Sequence, residues 1–497
     1  MRKLLTAFAL SALSGALAPA ARGQAGATLT SNGVSAEAPR RAVTHHEITI
    51  GGERIAYTAT VADDIVPALD GSPGAAVVTI AYTRDGVADA VRRPVMFLFN
   101  GGPGASSSPL HMSALGPVRR VAARSGDRGS SDFADNPDSP IDAFDLVFID
   151  PVSTGFSRAL PGVDPKPWYD GRRDAVAVGR AIGDWLRSNG RKASPRFLAG
   201  ESYGANRVGL ILKYSPALRF DGVLLISGGE HELAEGKPDY VDALAPMAAG
   251  AYFHGKIERD GRTVEQVVAE ARSFGRTDYA AALARGKRLP GAWRHRVAVK
   301  LASLIGLPAG LLETQNLRIS SNTYMFNLLK DRGLRTGLLD VRTTSPLVTN
   351  AAGAIDDPAL GVTRPGAPGS KPPTAAAVGA VASPGVAKYL REVLGFPSDD
   401  PYIGVNFTAN VAWKWDPDRN TARQIAARMK SDATMRLYAA AGIYDLQGGG
   451  DGAGFLEAGV PPARFTFDQF AGGHEVYDDD ANRARFAADL RRFVRGP

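Results

Sequence analysis

Gly200-Glu201-Ser202-Tyr203-Gly204 sets a serine between two glycines in the pattern G-x-S-x-G. Residues 196–199 before it read as a buried strand, and residues 206–214 after it as a helix. Ser202 is therefore expected on the sharp strand-to-helix turn that exposes a nucleophilic hydroxyl. The glycines matter because so tight a turn leaves no space for Cβ atoms beside the serine. In a glycine-rich chain the pattern alone describes an ordinary junction; the strand and helix around it point to catalysis. A serine hydroxyl is a weak nucleophile. It needs a base, an acid that orients the base, and donors for the developing oxyanion.

For a serine on such a turn the expected chain order is Ser, then Asp or Glu, then His. His231, His254, His295 and His474 follow Ser202. Of these, only His474 sits in a late loop, behind Gly472-Gly473, between an expected strand at 464–467 and a closing amphipathic helix from about residue 482. Asp445 directly follows an expected strand at 435–441 and is the preferred acid. Asp451, in a glycine-rich run, and Asp468, close behind the last strand, are its rivals. One oxyanion donor is the N–H of Tyr203, after the nucleophile. The other comes from a loop after an earlier strand, and Asn100-Gly101-Gly102-Pro103-Gly104 is that kind of loop. No Lys-Ser or Lys-Thr pair follows those glycines, so they do not form a nucleotide phosphate cradle. Neither a metal nor a cofactor is expected: Cys is 0, and the seven histidines include no i, i+4 pair.

These groups need a scaffold that brings distant loops together. Continuous apolar runs at 95–99, 144–149, 196–199 and 223–226 suit strands covered on both faces. Residues 172–187 put Val178, Ala181, Ile182, Trp185 and Leu186 on one helical face. Strand-like runs at 46–60 and 75–83 precede them. Residues 231–340 are mostly helical in pattern, and 344–386, rich in Pro, Gly, Ala and Thr, read as surface loops. The fold class is α/β, a central mostly parallel sheet carrying a helical cap. Its expected parts are a core at 26–230, the cap with its loops at 231–430, and the rest of the core at 431–497.

With 497 residues and 44% hydrophobic composition, the chain has ample material for a sizeable core. The formal net charge of +7 is modest for that length and does not suggest a nucleic-acid partner. Met1-Arg2-Lys3 followed by an uncharged apolar stretch at 4–18 is the layout of a secretory signal peptide, expected at 1–25. Ala18-Pro19-Ala20 and Gly23-Gln24-Ala25 offer cleavage sites. The stretch is short of the ~20 residues a bilayer span needs. The mature chain is therefore expected to be exported, periplasmic or secreted, with no membrane association after cleavage.

Asn100-Gly101-Gly102-Pro103-Gly104-Ala105-Ser106-Ser107, Asp150-Pro151 leading to Gly155-Phe156-Ser157, and Gly200-Glu201-Ser202-Tyr203-Gly204 together resemble the serine carboxypeptidases. The resemblance reaches Gly473-His474 and is closest to the bacterial branch of that family. It implies an α/β-hydrolase fold with a helical insertion over the site. It implies Ser202, Asp445 and His474 as a triad, with Gly102 and Tyr203 as oxyanion donors. It also implies that Asn100, the Gly101 amide and Glu201 bind the terminal carboxylate of peptide substrates. Ala105 and Leu98 depart from the family, standing where a Cys and a Trp are usual. A glutamate facing a carboxylate is reasonable if the two share one proton, so peptide recognition should weaken as pH rises. The expected activity is release of C-terminal residues through an acyl-enzyme. An esterase or acyltransferase on the same triad is the first alternative, and a catalytically silent exported binding protein the second.

Overall fold

The computed structural model describes residues 28–29, 35–36, 38–68, 70–121, 132–230, 240–347, 357–360, 379–448 and 450–496. The export pattern at 1–25 lies outside them. The chain divides into two compact units, Met1–Ala38 and Pro39–Pro497. In the first, Thr28–Leu29 pairs antiparallel with Ser35–Ala36. The second holds everything that follows.

Its centre is a ten-stranded sheet. In chain order the strands are β1 (Arg41–Ile50), β2 (Glu53–Pro67), β3 (Pro73–Arg84), β4 (Val95–Phe99), β5 (Asp145–Asp150), β6 (Arg158–Ala159), β7 (Arg196–Glu201), β8 (Gly222–Ile226), β9 (Arg436–Gly442) and β10 (Phe465–Phe470). Across the sheet they run β10-β9-β8-β7-β4-β5-β3-β2-β1, with β6 on β3. From β10 to β5 every pairing is parallel. The remaining strands pair antiparallel. The expected run at 46–60 is a hairpin, because Gly51 and Gly52 both take positive φ and turn the chain between β1 and β2.

Parallel strands need crossovers, and the helices that make them cover both faces. Helices α1 (Gly171–Ser188) and α2 (Tyr203–Tyr214) lie on one face. There Phe97, Phe99, Leu198, Val223, Leu225 and Leu437 meet Val178, Ile182, Trp185, Val208 and Ile211 in one core. The alternate residues of the same strands, Met96, Leu98, Leu224, Ile226 and Tyr438, build a second core on the other face. Burial on both faces is why these runs show no alternation in sequence.

The helical region has its own core. Helices α3 (Leu244–Phe253) and α4 (Gly291–Ile305) pack with Leu312, Tyr324 and Val341, and that cluster reaches Ile443, Tyr444 and Leu446 behind β9. The stretch from Pro384 behaves differently. Val386, Tyr389 and Leu390 join the second core. Helix α5 (Thr421–Ser431) puts Ile425 and Met429 into the first. The 231–430 segment thus serves two cores besides its own. Among the described residues, reading 344–386 as surface loops also fails at Asp357, Gly385 and Val386, which are buried. The closing helix, α6 (Asp480–Arg495), presses Phe486, Leu490 and Phe493 onto the sheet. Among the described residues no helix is long and apolar enough to cross a membrane.

Candidate active site

Loops leaving the carboxyl ends of β4, β7, β9 and β10 carry Asn100, Ser202, Asp445 and His474. The carboxyl edge is where open parallel sheets gather functional groups. Ser202 stands between β7 and α2 at φ 59° and ψ −128°, a backbone conformation that costs of order 1–3 kcal/mol in a non-glycine residue. Its N–H donates to Ile226 O at 2.8 Å, which ties the turn to β8. A Cβ on Gly200 would lie 2.2 Å from Gly204 O, and one on Gly204 would lie 2.9 Å from Phe99 O. Both glycines of the motif are therefore sterically required. Ser202 itself is partly exposed.

The glycine loop after β4 presses against the start of α2. A Cβ on Gly101 would sit 2.4 Å from Tyr203 N and 2.6 Å from Gly204 N. This contact brings the two proposed sources of oxyanion N–H groups, Gly102 and Tyr203, into adjoining turns. The loop is braced from outside as well. Ser107 donates twice to Asp150 at the end of β5, from N at 2.8 Å and Oγ at 2.7 Å. Asn406 N donates to Gly104 O at 2.7 Å, and Asn410 Nδ2 to Pro103 O at 2.9 Å.

Asp445 and His474 meet. His474 Nδ1 lies 2.6 Å from Asp445 Oδ2, while Asp445 Oδ1 accepts from Gln447 N at 2.9 Å. Asp445 is fully buried and His474 is 7% exposed. Burial opposes the imidazolium, but the Asp445 carboxylate and its hydrogen bond outweigh this, with Glu201 and Glu475 adding; together they lift His474 to about 9. The rival acids are engaged elsewhere: Asp451 with Arg276 at 2.7 Å, and Asp468 beside Arg485 at 3.6 Å. Among the described residues no group of three or more His, Cys, Asp or Glu is set to hold a metal ion.

A strap from the end of the helical region crosses the acid and base loops. Leu338 O accepts from Leu446 N at 3.0 Å, Leu339 O from His474 N at 2.7 Å, and Val341 N donates to Tyr444 O at 3.0 Å. Buried Asp357 accepts from Leu338 N and Leu339 N, each at 2.8 Å. Arg342 closes the arrangement, donating to Ala471 O at 3.1 Å and Asp478 Oδ2 at 2.8 Å, with its guanidinium over the Tyr444 ring. Neither Asp357 nor Arg342 carries a sequence signal that separates it from any other loop residue.

Beside Ser202, Asn100 Nδ2 donates to Glu201 Oε1 at 2.8 Å. Leu110 N donates to Asn100 Oδ1 at 3.1 Å, which fixes the amide orientation. Beneath it, Arg207 donates to Asn100 O at 2.6 Å and pairs with Asp174 at 2.6 Å, its guanidinium lying between the Phe99 and Tyr203 rings. The hydroxyl of Tyr477, three residues after His474, donates to Glu201 Oε2. The family resemblance pointed to Asn100 and Glu201, which the structure brings together, whereas sequence reading did not single out Arg207 or Tyr477.

The match to known proteins falls on the first part of this arrangement. Residues 82–214 match the serine carboxypeptidase family. That match takes in the Asn100 loop and the Ser202 turn and stops before Asp445 and His474. Among solved structures, Kex1(delta)p, a prohormone-processing carboxypeptidase from Saccharomyces cerevisiae, aligns at 14% identity. The alignment covers 87% of this chain and 91% of that one, with a TM-score of 0.50. An esterase from Exiguobacterium antarcticum aligns at 12% identity over 87% of this chain and 99% of its own, with a TM-score of 0.34. A comparison with curated proteins finds no match. The fold is that of the α/β-hydrolases, and the half that holds Ser202 carries the serine carboxypeptidase pattern.

Proposed function

We propose that the protein is an exported serine-type carboxypeptidase that releases residues from the C-termini of peptides through an acyl-enzyme. The observation that carries this reading is the Asn100–Glu201 hydrogen bond beside the Ser202 turn, with the Asp445–His474 pair opposite. A general hydrolase needs the triad alone. A paired amide and carboxyl next to the nucleophile suits a substrate whose own carboxylate ends one residue beyond the scissile bond.

In this mechanism His474 Nε2 takes the Ser202 hydroxyl proton as Oγ bonds to the scissile carbonyl carbon. Asp445 holds the ring through Nδ1 and stabilises the imidazolium. The carbonyl oxygen gains negative charge against the N–H groups of Gly102 and Tyr203. Collapse breaks the C–N bond, and the proton on His474 passes to the leaving amine. Water, deprotonated by the same histidine, then attacks the ester and releases Ser202. Export rests on the basic-then-apolar N-terminus, and peptides with a free C-terminus are the substrate class.

The test compares a blocked dipeptide acid with its C-terminal amide and with a matched ester. A carboxypeptidase hydrolyses the acid with a kcat/KM well above that for the amide. Equal turnover of acid and amide, or turnover of the ester alone, overturns the reading in favour of an esterase. A serine-directed phosphonate that labels nothing would leave only a silent binding protein.

A further inference from the structure

His474 and Tyr477 reach the site on one short segment. After β10 the chain passes Gly472-Gly473, delivers His474 to Asp445, and within one turn delivers the Tyr477 phenol to Glu201. Tyr477 is fully buried, and its ring stacks on Phe486 of α6 with centroids 5.9 Å apart, so α6 sets where the hydroxyl points. Glu201, itself 3% exposed, receives a donor on each oxygen: Asn100 Nδ2 on Oε1 and the Tyr477 hydroxyl on Oε2. The two donors come from opposite sides of the nucleophile, one from the β4 loop and one from the segment after β10.

Two donors on a carboxyl group favour its ionised form. Recognition of a substrate carboxylate, as proposed above, needs the opposite: a proton on Glu201 to bridge two like-charged groups. Charged groups also lie near Glu201. His474, from the Tyr477 segment, interacts with it electrostatically. Arg207 of α2 lies beyond Asn100 and is paired with Asp174 of α1. Ser202 and Asn100 carry no charge. Of the two donors described on the carboxyl, Tyr477 is the one whose donation is removed by deleting a single oxygen.

Resting on the carboxypeptidase reading, we infer that Tyr477 is a positioning residue: its phenol holds Glu201 and sets the pH above which a peptide's terminal carboxylate is no longer recognised. By stabilising the charged form, it opposes the proton uptake that binding requires. The carboxylate pocket and the catalytic histidine are thereby tied to one segment of chain.

The experiment is the pH dependence of kcat/KM for a blocked dipeptide acid, with active sites counted by phosphonate titration. The proteins compared are the wild type, Tyr477→Phe, Glu201→Gln and the double variant. In Tyr477→Phe the descending alkaline limb should move up by about one pH unit, the effect of losing one hydrogen bond to a charged acceptor. Glu201→Gln should lack that limb, and adding Tyr477→Phe to it should change nothing further. Should Tyr477→Phe fold poorly, 3-fluorotyrosine at position 477 keeps the shape while donating more strongly, and should move the limb down. An unmoved limb in either variant overturns the role of Tyr477 and leaves the carboxypeptidase reading intact. A shift that persists in the Glu201→Gln background also overturns it, since Glu201 would then not be the group acted upon. A wild type that treats acid and amide alike overturns both.

Discussion

The serine side of the site and the acid–base side are held by different physical means. Around Ser202, backbone packs on backbone. Gly101 lies against the amides of Tyr203 and Gly204, Gly200 against Gly204, and Gly204 against Phe99, all at separations that exclude a Cβ. Around Asp445 and His474 the contacts are hydrogen bonds from a strap outside the sheet, itself held by the side chains of Asp357 and Arg342. The first half comes from the turn geometry of adjacent parallel strands. The second depends on the helical region having folded, because α3, α4, Val341, Tyr444 and Leu446 share one core. Geometry inherent in the sheet is robust to most side-chain changes and intolerant of added atoms. Geometry supplied by a strap is open to loosening.

Variants that remove a reacting group test both halves at once and should have the largest effects. Ser202→Ala and His474→Ala should abolish turnover while leaving the fold intact, with a residual ~10³–10⁴-fold effect over water from the remaining oxyanion donors and binding. Asp445→Asn should cost somewhat less, because the aspartate orients the ring and does not itself take the proton. Steady-state rates on dipeptide acids measure all three. Near-full activity in Ser202→Ala, or greater damage from Asp451→Asn than from Asp445→Asn, would break the assignment.

The contrast between the halves is tested next by a paired comparison. Gly101→Ala should prevent the glycine loop and α2 from packing together, giving little folded protein, because backbone atoms stand where the methyl would go. Asp357→Ala should fold with reduced thermal stability, leaving the Leu338 and Leu339 amides without their carboxylate. It should lower kcat by about 10²-fold on acids and esters alike, the scale expected when a catalytic group is misplaced by about an ångström. Thermal melts and rates on both substrate types decide the matter. If Asp357→Ala turns over at the wild-type rate, the strap does not position His474.

A smaller effect separates charge from position. Only neutral His474 accepts a proton, and its neighbours hold it to about 9. The kcat/KM for an ester should therefore rise with pH until it levels near that value. Glu201 is among the groups that favour the imidazolium. Glu201→Gln removes that charge without emptying the space, so the rising limb should move to lower pH. A limb that stays in place would show that Glu201 and His474 are not coupled through charge.

The sheet was legible because β4, β5, β7 and β8 are buried on both faces, and that leaves a short apolar run between turn residues. Ser202 was legible because the turn demands glycines at fixed offsets. Asp445 and His474 could be picked by chain order and by their places behind β9 and β10. Other features left no such trace. Asp357 lies in a stretch whose Pro and Gly content reads as loop, yet its carboxylate is buried against two amides, and nothing local records a partner some twenty residues back. Tyr477 reads as any aromatic ahead of a helix until the fold brings β7 beside its segment. Arg207 reads as a helix-surface cation, and only the crossing of α1 over α2 turns it into a buried ion pair with Asp174. Local periodicity specifies elements; partners joined by tertiary crossings leave no local pattern.

The position of His474 also has a consequence for biosynthesis. A chain emerging from its N-terminus produces the serine turn and glycine loop early, and the strap next. His474 follows all of these, behind β10. On the carboxypeptidase reading, Ser202 has no base until that segment is made and docked, so a growing chain presents an inert hydroxyl. On that reading, reactivity waits for a segment made long after the nucleophile.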